Sequence, residues 1–270
     1  MKKFIISVLS LTLLSTISFA QGVSSYSYGI DTKPFRFGAF VAPTISWMKS
    51  SARTDDGKNY NISNEGFKIG FTYGLIAEYY FQPNYAIVSG LQMNMGGGKM
   101  AMDRIDKTAA SDMINKASFD YSLNFLEIPL ALKLRTDPIS NFRFFGQAGF
   151  SLGFRVTKMA SYDIEYFDND GNAQSWSVQK DKMGSKGTLK PGFSPINVQM
   201  SLGLGVEYPI ADKLAAYFGF YFNNGFAPDM TNPQNFELYG VDNTPINVNS
   251  SFKDGNVRFN NFALRLGIFF

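Results

Sequence analysis

The sequence contains no cysteine and no histidine among its 270 residues. The chain therefore cannot form a Ser-His-Asp triad, a cysteine nucleophile, or an ordinary zinc or haem site. It has no disulfide, so packing and hydrogen bonding alone must hold the fold. A formal net charge of +3 is too small to indicate binding to nucleic acid. These absences argue against an enzyme and predict a protein with no cofactor and no bound metal.

Long hydrophobic runs are scarce, and the one at the N-terminus has a specific pattern. Residues 1–3 are a basic start, residues 4–17 are an apolar run broken only by Ser and Thr, and small residues occupy Ser18 and Ala20. This pattern predicts a secretory signal peptide over residues 1–20. The alternative, a membrane-anchoring helix, is disfavoured because a span needs about 20 apolar residues. Residues 21–33 are polar and predict a loose periplasmic tail.

Aromatic residues make up 16% of the chain, yet its mean hydropathy is only −0.10. Such a combination indicates that apolar rings alternate with polar residues. In residues 34–47, for example, Phe35, Phe37, Val41 and Ile45 alternate with small or polar side chains, which is the pattern of a β-strand. The same period of two recurs in eight segments: 34–47, 66–81, 85–95, 118–135, 142–156, 196–208, 214–222 and 262–270.

The segment 118–135 changes phase. Its apolar residues fall on odd positions from Phe119 to Phe125 and on even positions from Ile128 to Leu134. A one-residue bulge near Phe125 would place both sets on the same face of one strand. Two separate short strands are the alternative, and the bulge is the preferred interpretation.

The alternation favours a membrane barrel over a soluble sandwich, because Gly, Asn and Ser stand regularly opposite large rings. In a small barrel, large residues face lipid and the narrow interior takes small and polar ones. The connections alternate as well: 82–84, 136–141 and 209–212 are short, whereas 48–65, 97–117, 158–195 and 227–255 are long. We therefore predict an all-β, eight-stranded antiparallel up-and-down transmembrane β-barrel over residues 34–270. Short turns are expected in the periplasm and long loops outside, in the outer membrane of a Gram-negative bacterium. Aromatic girdles are predicted from these residues: Phe35, Tyr79, Phe81, Tyr85, Phe142, Tyr208 and Phe270 on the periplasmic side, and Trp47, Phe67, Tyr121 and Phe154 on the outer side.

Residues 121–135 read Y-S-L-N-F-L-E-I-P-L-A-L-K-L-R. The L-E-I-P-L core, in a strand that leads to a short turn, resembles the outer-membrane β-barrel domain of PorT-like proteins of the Bacteroidota. The resemblance covers about residues 35–270. It implies an outer-membrane barrel and, for the member that names the family, a place in the type IX secretion and gliding apparatus. It supplies no catalytic residues. The C-terminal alternation also looks like the signal that the barrel assembly machinery reads: Phe262, Leu264, Leu266, Ile268 and Phe270.

Charged residues fall on the positions that are predicted to face the lumen: Arg36, Lys68, Glu78, Glu127, Lys133, Arg143, Arg155, Glu207 and Arg265. A network of salt bridges that fills the lumen is the preferred interpretation, because buried charges need partners. An ion path or proton relay is the alternative. With a bulge near Phe125, Glu127 is expected to pair with a cation such as Lys133, Arg36 or Arg265.

The third long connection contains a predicted hairpin, with segments 161–167 and 173–178 flanking an Asp-Gly turn. Its apolar residues make it a candidate partner-binding loop: Tyr162, Ile164, Tyr166, Trp176 and Val178. A plain projecting extension of the strands is the blander interpretation. A calcium loop is disfavoured because Ala173 stands where the EF-hand pattern requires glycine.

From these features we expect a non-enzymatic structural or interaction component of the outer membrane. Its expected partners are outer-membrane lipid, the barrel assembly machinery during insertion, and another outer-membrane complex such as the type IX secretion and gliding apparatus. A narrow pore for small solutes is the alternative function, although eight strands leave little room for one.

Overall fold

The computed structural model describes residues 34–50, 60–104, 114–167, 172–182, 194–211, 214–231, 238–239, 245–246 and 256–270. The predicted signal peptide (1–20) and the predicted tail (21–33) lie outside the described residues.

Eight long strands form the body of the molecule. They are β1 (Phe35–Ser50), β2 (Lys68–Gln82), β3 (Tyr85–Arg104), β4 (Ile114–Arg135), β5 (Arg143–Phe167), β6 (Ile196–Ala211), β7 (Leu214–Gly225) and β8 (Asn256–Phe269). Each strand pairs antiparallel with the next, and β1 pairs with β8 from Gly38 opposite Phe269 to Ser50 opposite Val257. The sheet therefore closes on itself, which confirms the predicted eight-stranded up-and-down barrel.

Shorter strands extend the barrel on the side of the long connections. Tyr60–Gly66 pairs with the far end of β3, and Ala173–Lys182 pairs with the far end of β5. Together with the ends of β3, β4 and β5 they form a five-stranded projection, which we call the extracellular sheet. Phe167 lies opposite Ala173, so the predicted hairpin is present. The turn at 168–171, for which a calcium loop is disfavoured, lies outside the described residues. Met230–Thr231 pairs with β8, and Leu238–Tyr239 pairs with Pro245–Ile246.

The outer wall of the barrel is a continuous apolar belt. Large side chains on alternate positions of all eight strands are exposed, including Val41, Leu75, Leu130 and Leu204. A surface of this kind suits lipid and not water. Most of the predicted girdle residues lie on this belt. The prediction for Tyr121 is wrong, because its side chain is fully buried in the interior. No helix in the described part of the chain is long and apolar enough to cross a membrane.

The predicted bulge in β4 is also wrong. The inward set runs from Leu123 and Phe125 straight on to Lys133, whereas Leu130 faces outward, so β4 keeps a single phase. The extra residue lies in β5, where Asn124 is opposite Thr157 but Phe125 is opposite Arg155, leaving Val156 without a partner across the ladder. Beyond Val156, β5 turns Ala160 and Tyr162 inward. Water replaces lipid outside the extracellular sheet, so the apolar face becomes the inner one.

Candidate functional site

The lumen holds most of the buried charge of the barrel. At the periplasmic end, Arg36, Glu78, Lys133 and Glu207 form a cluster that we call the ionic base. Arg36 Nη2 lies 2.6 Å from Glu78 Oε2 and 2.7 Å from Glu207 Oε1. Lys133 Nζ lies 2.6 Å from Glu78 Oε1 and also contacts Glu207 Oε1. Each carboxylate thus touches both cations, and the four formal charges cancel.

The strand pairing and the surrounding rings explain how this cluster is held. Arg36 on β1 lies directly opposite Glu78 on β2, so the first pair is fixed by register. The guanidinium of Arg36 lies 3.8 Å from the ring centroid of Phe269, and Lys133 Nζ lies 4.2 Å from that of Phe145. Rings stacked on cations in this way contribute cation–π attraction and exclude water. The ionic base therefore fills the lumen at its periplasmic end.

Tyr80 and Arg135 support the ionic base from below. The Tyr80 hydroxyl donates to Glu78 Oε2 over 2.8 Å and accepts from Arg36 Nη2 over 2.9 Å. Arg135 packs over the Tyr80 ring at 4.0 Å and donates two hydrogen bonds to the Pro83 carbonyl oxygen. These contacts connect the first periplasmic turn to the ionic base, because Pro83 belongs to that turn.

A polar ring occupies the middle of the lumen, above the ionic base. Each strand contributes one buried polar side chain to it: Thr44, Thr72, Asn94, Glu127, Ser151, Gln199, Asn223 and Asn261. On one side the members bond to each other, with Thr72 donating to Asn94 over 3.2 Å and Asn94 donating to Glu127 over 2.8 Å. Four polar atoms of the ring have no hydrogen-bond partner among the residues that the structure describes: Thr44 Oγ1, Ser151 Oγ, Gln199 Nε2 and Asn261 Nδ2. Buried polar groups of this kind are normally satisfied by ordered water.

Glu127 faces the lumen as predicted, but it forms no ion pair with any of the described residues. Its carboxylate accepts hydrogen bonds from Gln92 over 2.5 Å and from Asn94 over 2.8 Å. Gln92 in turn accepts from Arg265 Nη2 over 3.1 Å. The expected direct pair with Lys133, Arg36 or Arg265 is therefore wrong, since an amide stands between Glu127 and Arg265. Lys133 and Arg36 are already engaged by Glu78 and Glu207.

A third polar group closes the extracellular mouth. Asp229, in the connection after β7, accepts hydrogen bonds from the Phe259 amide over 2.8 Å and from Asn197 over 2.5 Å. Arg155 Nη2 lies 3.6 Å from Asp229 Oδ1, and Arg155 also donates to the Ser194 carbonyl oxygen. Burial raises the pKa of Asp229 to about 6, although its hydrogen bonds and Arg155 oppose the shift. This carboxylate binds the connection to three strands at once.

An apolar cluster fills the interior beyond the mouth. It consists of Met48, Met100, Met102, Ala117, Phe119, Tyr121, Leu123, Phe125, Ala160, Tyr162, Ile164, Val257 and Phe259. The rings of Phe125 and Phe259 pack at a tilt, with their centroids 5.6 Å apart, at its lower boundary next to the polar ring. The described lumen is thus layered, with charges at the base, polar groups in the middle and apolar groups under the extracellular sheet.

One cation of the predicted lumen network, Lys68, is placed differently. Lys68 was expected inside, but its side chain lies over Gly97, reaching Asp120 at 2.5 Å and Ser122 at 2.8 Å on the outer face of β4. The long side chain of Lys68 reaches across β3 to β4, which a period of two in the sequence cannot reveal. Arg143 lies directly opposite Glu207 and is half-buried at the periplasmic rim.

The hairpin candidates lie mostly inside. Tyr162 and Ile164 are each 1% exposed and belong to the apolar cluster, and Tyr166 packs against it. Trp176 and Val178 pair through their backbones with Ile164 and Tyr162. A partner that binds this hairpin would therefore contact its outer face, where Asp163 and Glu165 are exposed.

The C-terminal residues behave as the alternation predicts. All five face the lipid side and are 39–62% exposed: Phe262, Leu264, Leu266, Ile268 and Phe270. Their recognition by the barrel assembly machinery stays a prediction.

Several important residues gave little signal in the sequence. Gln92 and Asn94 lie on a polar face that the alternation does reveal, but a neutral amide is not an obvious partner for a carboxylate. Asp229 stands outside every alternating segment, so nothing distinguished it from the other acids of the long connections. Within the described ranges, no group of three or more acidic residues could hold a metal ion.

The comparisons with known proteins found outer-membrane β-barrels. A family model described as an outer membrane protein β-barrel domain matches residues 19–227. No curated protein is detectably similar in sequence. Among solved structures, Neisserial surface protein A is 13% identical over 87% of this chain and 96% of that one, with a TM-score of 0.38. The attachment invasion locus protein Ail of Yersinia pestis is 12% identical over 87% and 97%, with a TM-score of 0.32. The outer membrane protease OmpT of Escherichia coli is 11% identical over 92% and 99%, with a TM-score of 0.35. These structural similarities are too distant to carry a functional conclusion.

Proposed function

This chain belongs to the family of outer membrane protein β-barrel domains, and we propose that it is a non-enzymatic structural or interaction component of the outer membrane. The family and the apolar belt place the protein in that membrane. The ionic base is the observation that carries the proposal, because it blocks the lumen with two interlocked ion pairs and the rings of Phe145 and Phe269. A barrel that is filled in this way acts through its outer wall and its extracellular part.

The extracellular sheet is the part that is best suited to contact a partner. Its outer face carries a row in which Lys116 on β4 lies opposite Asp103 on β3 and Glu165 on β5. All three side chains are exposed. Alternating charges of this kind are typical of polar protein contacts, in which they set orientation and specificity. The 270-residue sequence has no histidine or cysteine, which supports a role without catalysis.

The finer proposal concerns the partner. The L-E-I-P-L segment at residues 126–130 resembles PorT-like proteins, so an accessory role in a larger outer-membrane machine, such as the type IX secretion and gliding apparatus, is our specific hypothesis. Outer-membrane lipid and, during insertion, the barrel assembly machinery are the other proposed partners.

Affinity purification from the native membrane tests the proposal. Glu165→Lys reverses a charge on the outer face of the extracellular sheet, and we expect it to release a co-purifying protein. Asp137→Lys is the matched control, because it makes the same charge change at an exposed site in the second periplasmic turn. Retention of the same partners by both variants and by wild type would count against docking through this face.

A narrow pore is the second candidate, and the polar ring favours it, because eight polar side chains line the middle of the lumen. Planar-bilayer recording separates the two functions. We expect purified wild type to be silent, since the ionic base blocks the path. Steady conductance that changes in Glu127→Gln would instead establish a pore and overturn the first proposal.

A further inference from the structure

Two cations lie side by side on the outer wall of the barrel. Lys49 on β1 is directly opposite Arg258 on β8, and both side chains are exposed. Among the described residues, neither cation makes an ion pair within 4 Å or a hydrogen bond to an acid. Like charges that are directly opposite each other destabilise a sheet. The pair is therefore an electrostatic cost that a bound anion would remove.

Three other cations of this region have an acid beside them. Lys68 contacts Asp120 at 2.5 Å, and Lys99 lies opposite the same residue. Lys116 lies between Asp103 and Glu165. Compensation by neighbouring acids is thus the local pattern, and the Lys49–Arg258 pair departs from it.

The height of the pair relative to the lipid belt indicates which anion fits. Lys49 is two residues beyond Trp47 on the same face of β1, a rise of about 7 Å. The Trp47 ring packs against Phe262 at 5.2 Å and Phe222 at 6.3 Å, which forms the outer aromatic girdle. Girdle rings of this type sit at the level of the lipid headgroups. Flexible cationic side chains just beyond them reach the phosphate layer.

We propose that Lys49 and Arg258 bind the phosphate of an anionic lipid headgroup in the outer leaflet. The guanidinium of Arg258 presents a planar donor fork to the phosphate oxygens, and the ammonium of Lys49 adds a second charge-assisted contact. Below the headgroup, the acyl chains of the same lipid lie against Ile45 and Leu264, which are exposed on the same two strands. The seam where the barrel closes is therefore a lipid-binding site.

The test uses the full barrel in a detergent that lacks phosphate, with native mass spectrometry as the readout. Bisphosphorylated lipid A is the probe, and its dephosphorylated form is the comparison ligand. We expect wild type to retain the phosphorylated lipid and the double variant Lys49→Gln/Arg258→Gln to bind it about tenfold or more weakly, which corresponds to a loss of about 1.4 kcal/mol or more. The dephosphorylated lipid should bind equally weakly to both proteins.

Two further variants make the outcome decisive. Lys116→Gln removes a cation that lies between acids, farther along β4 from the belt, and should bind like wild type. Lys49→Arg/Arg258→Lys keeps both charges and should retain binding, which shows that the loss is not misfolding. Binding by the double glutamine variant within about twofold of wild type would overturn the proposal. So would equal binding of the two lipid forms, or displacement of the lipid by millimolar inorganic phosphate alone, which would indicate a site for the free anion.

Discussion

A β-carbon added to Gly97 would stand 1.8 Å from the carbonyl oxygen of Tyr121 on the neighbouring strand. Gly96 and Gly98 are similarly enclosed, by the Phe259 ring and by the backbone of Met48. The three glycines therefore allow close packing of β3 at the level where the extracellular sheet leaves the barrel. No side chain fits at Gly97 without moving β4.

Gly97→Ala should lower the unfolding midpoint in urea, because the clash is with backbone that cannot rotate away. Overpacking of this kind costs about 1–3 kcal/mol. Gly146→Ala is the control, since its added carbon would meet only Leu204 Cδ2 at 3.7 Å. Equal midpoints for the two variants would show that the strands separate easily at Gly97.

Lys133→Met tests the ionic base. The substitution leaves Glu78 and Glu207 close together with Arg36 between them, and their repulsion is then only partly compensated. Removal of one partner from a buried pair costs about 3–5 kcal/mol. Urea unfolding in detergent gives the measurement, and Lys116→Met, an exposed site, should stay within about 0.5 kcal/mol of wild type. A loss no larger than that of Lys116→Met would mean that the base is solvated.

Thr44→Val tests whether water occupies the polar ring. The sign of the change in the free energy of unfolding distinguishes a hydrated hydroxyl from one without a partner. If ordered water satisfies the Thr44 hydroxyl, the valine variant should lose about 0.5–1.5 kcal/mol of stability. Thr72→Val is the matched control, because the Thr72 hydroxyl has a protein partner in Asn94. We expect both variants to be destabilised. A more stable Thr44→Val would show that the hydroxyl has no partner at all.

Lowering the pH should increase the stability of the folded protein through Asp229 at the extracellular mouth. Asp229 lies in the connection beyond β7, outside the membrane-spanning strands, and burial raises its pKa from 3.8 to about 6. The folded state therefore binds the proton more tightly than the unfolded state. Its contribution to stability is fully present below pH 3.8 and is lost as the pH rises through 6. The protein should thus resist unfolding better at pH 5 than at pH 7.

Asp229→Asn supplies the comparison for that pH effect. Asparagine cannot ionise, so the variant should lose the part of the pH dependence that lies between pH 4 and 6, approximately the interval set by the two pKa values. Urea midpoints of wild type and variant at both pH values give the answer. Parallel pH profiles would assign the dependence to other titratable groups.

The sequence predicts the barrel well because lipid imposes a strict rule on each strand. Phe35 and Phe37, or Leu264 and Leu266, must alternate with small or polar residues, so eight strands can be counted from the pattern alone. A period of two says which residues share a face, but not which face is inside. Phe119 and Tyr121 show the difference, because their strand leaves the membrane and its apolar side turns from the outer wall to the interior.

The sequence predicts which residues face the lumen, but not which of them contact each other there. Arg36 and Glu78 lie on neighbouring strands and on the same predicted face, but the connection between β1 and β2 is long, so the sequence does not fix the register that places them opposite each other. Glu127 and Arg265 are on strands that are not neighbours, so their connection through Gln92 depends on side-chain length and barrel diameter. Asp229 arrives from a long connection whose path no local pattern fixes.

The pairing of β1 with β8 has a consequence for biogenesis. The first and last strands of the ring are neighbours, so every shorter nascent chain has two open sheet edges. No partial product is a closed cylinder, and folding cannot be completed until residues 256–269 have been delivered. Chains that are truncated near their end would thus keep open sheet edges and be prone to aggregate. Such unfolded chains would also be substrates for periplasmic proteases.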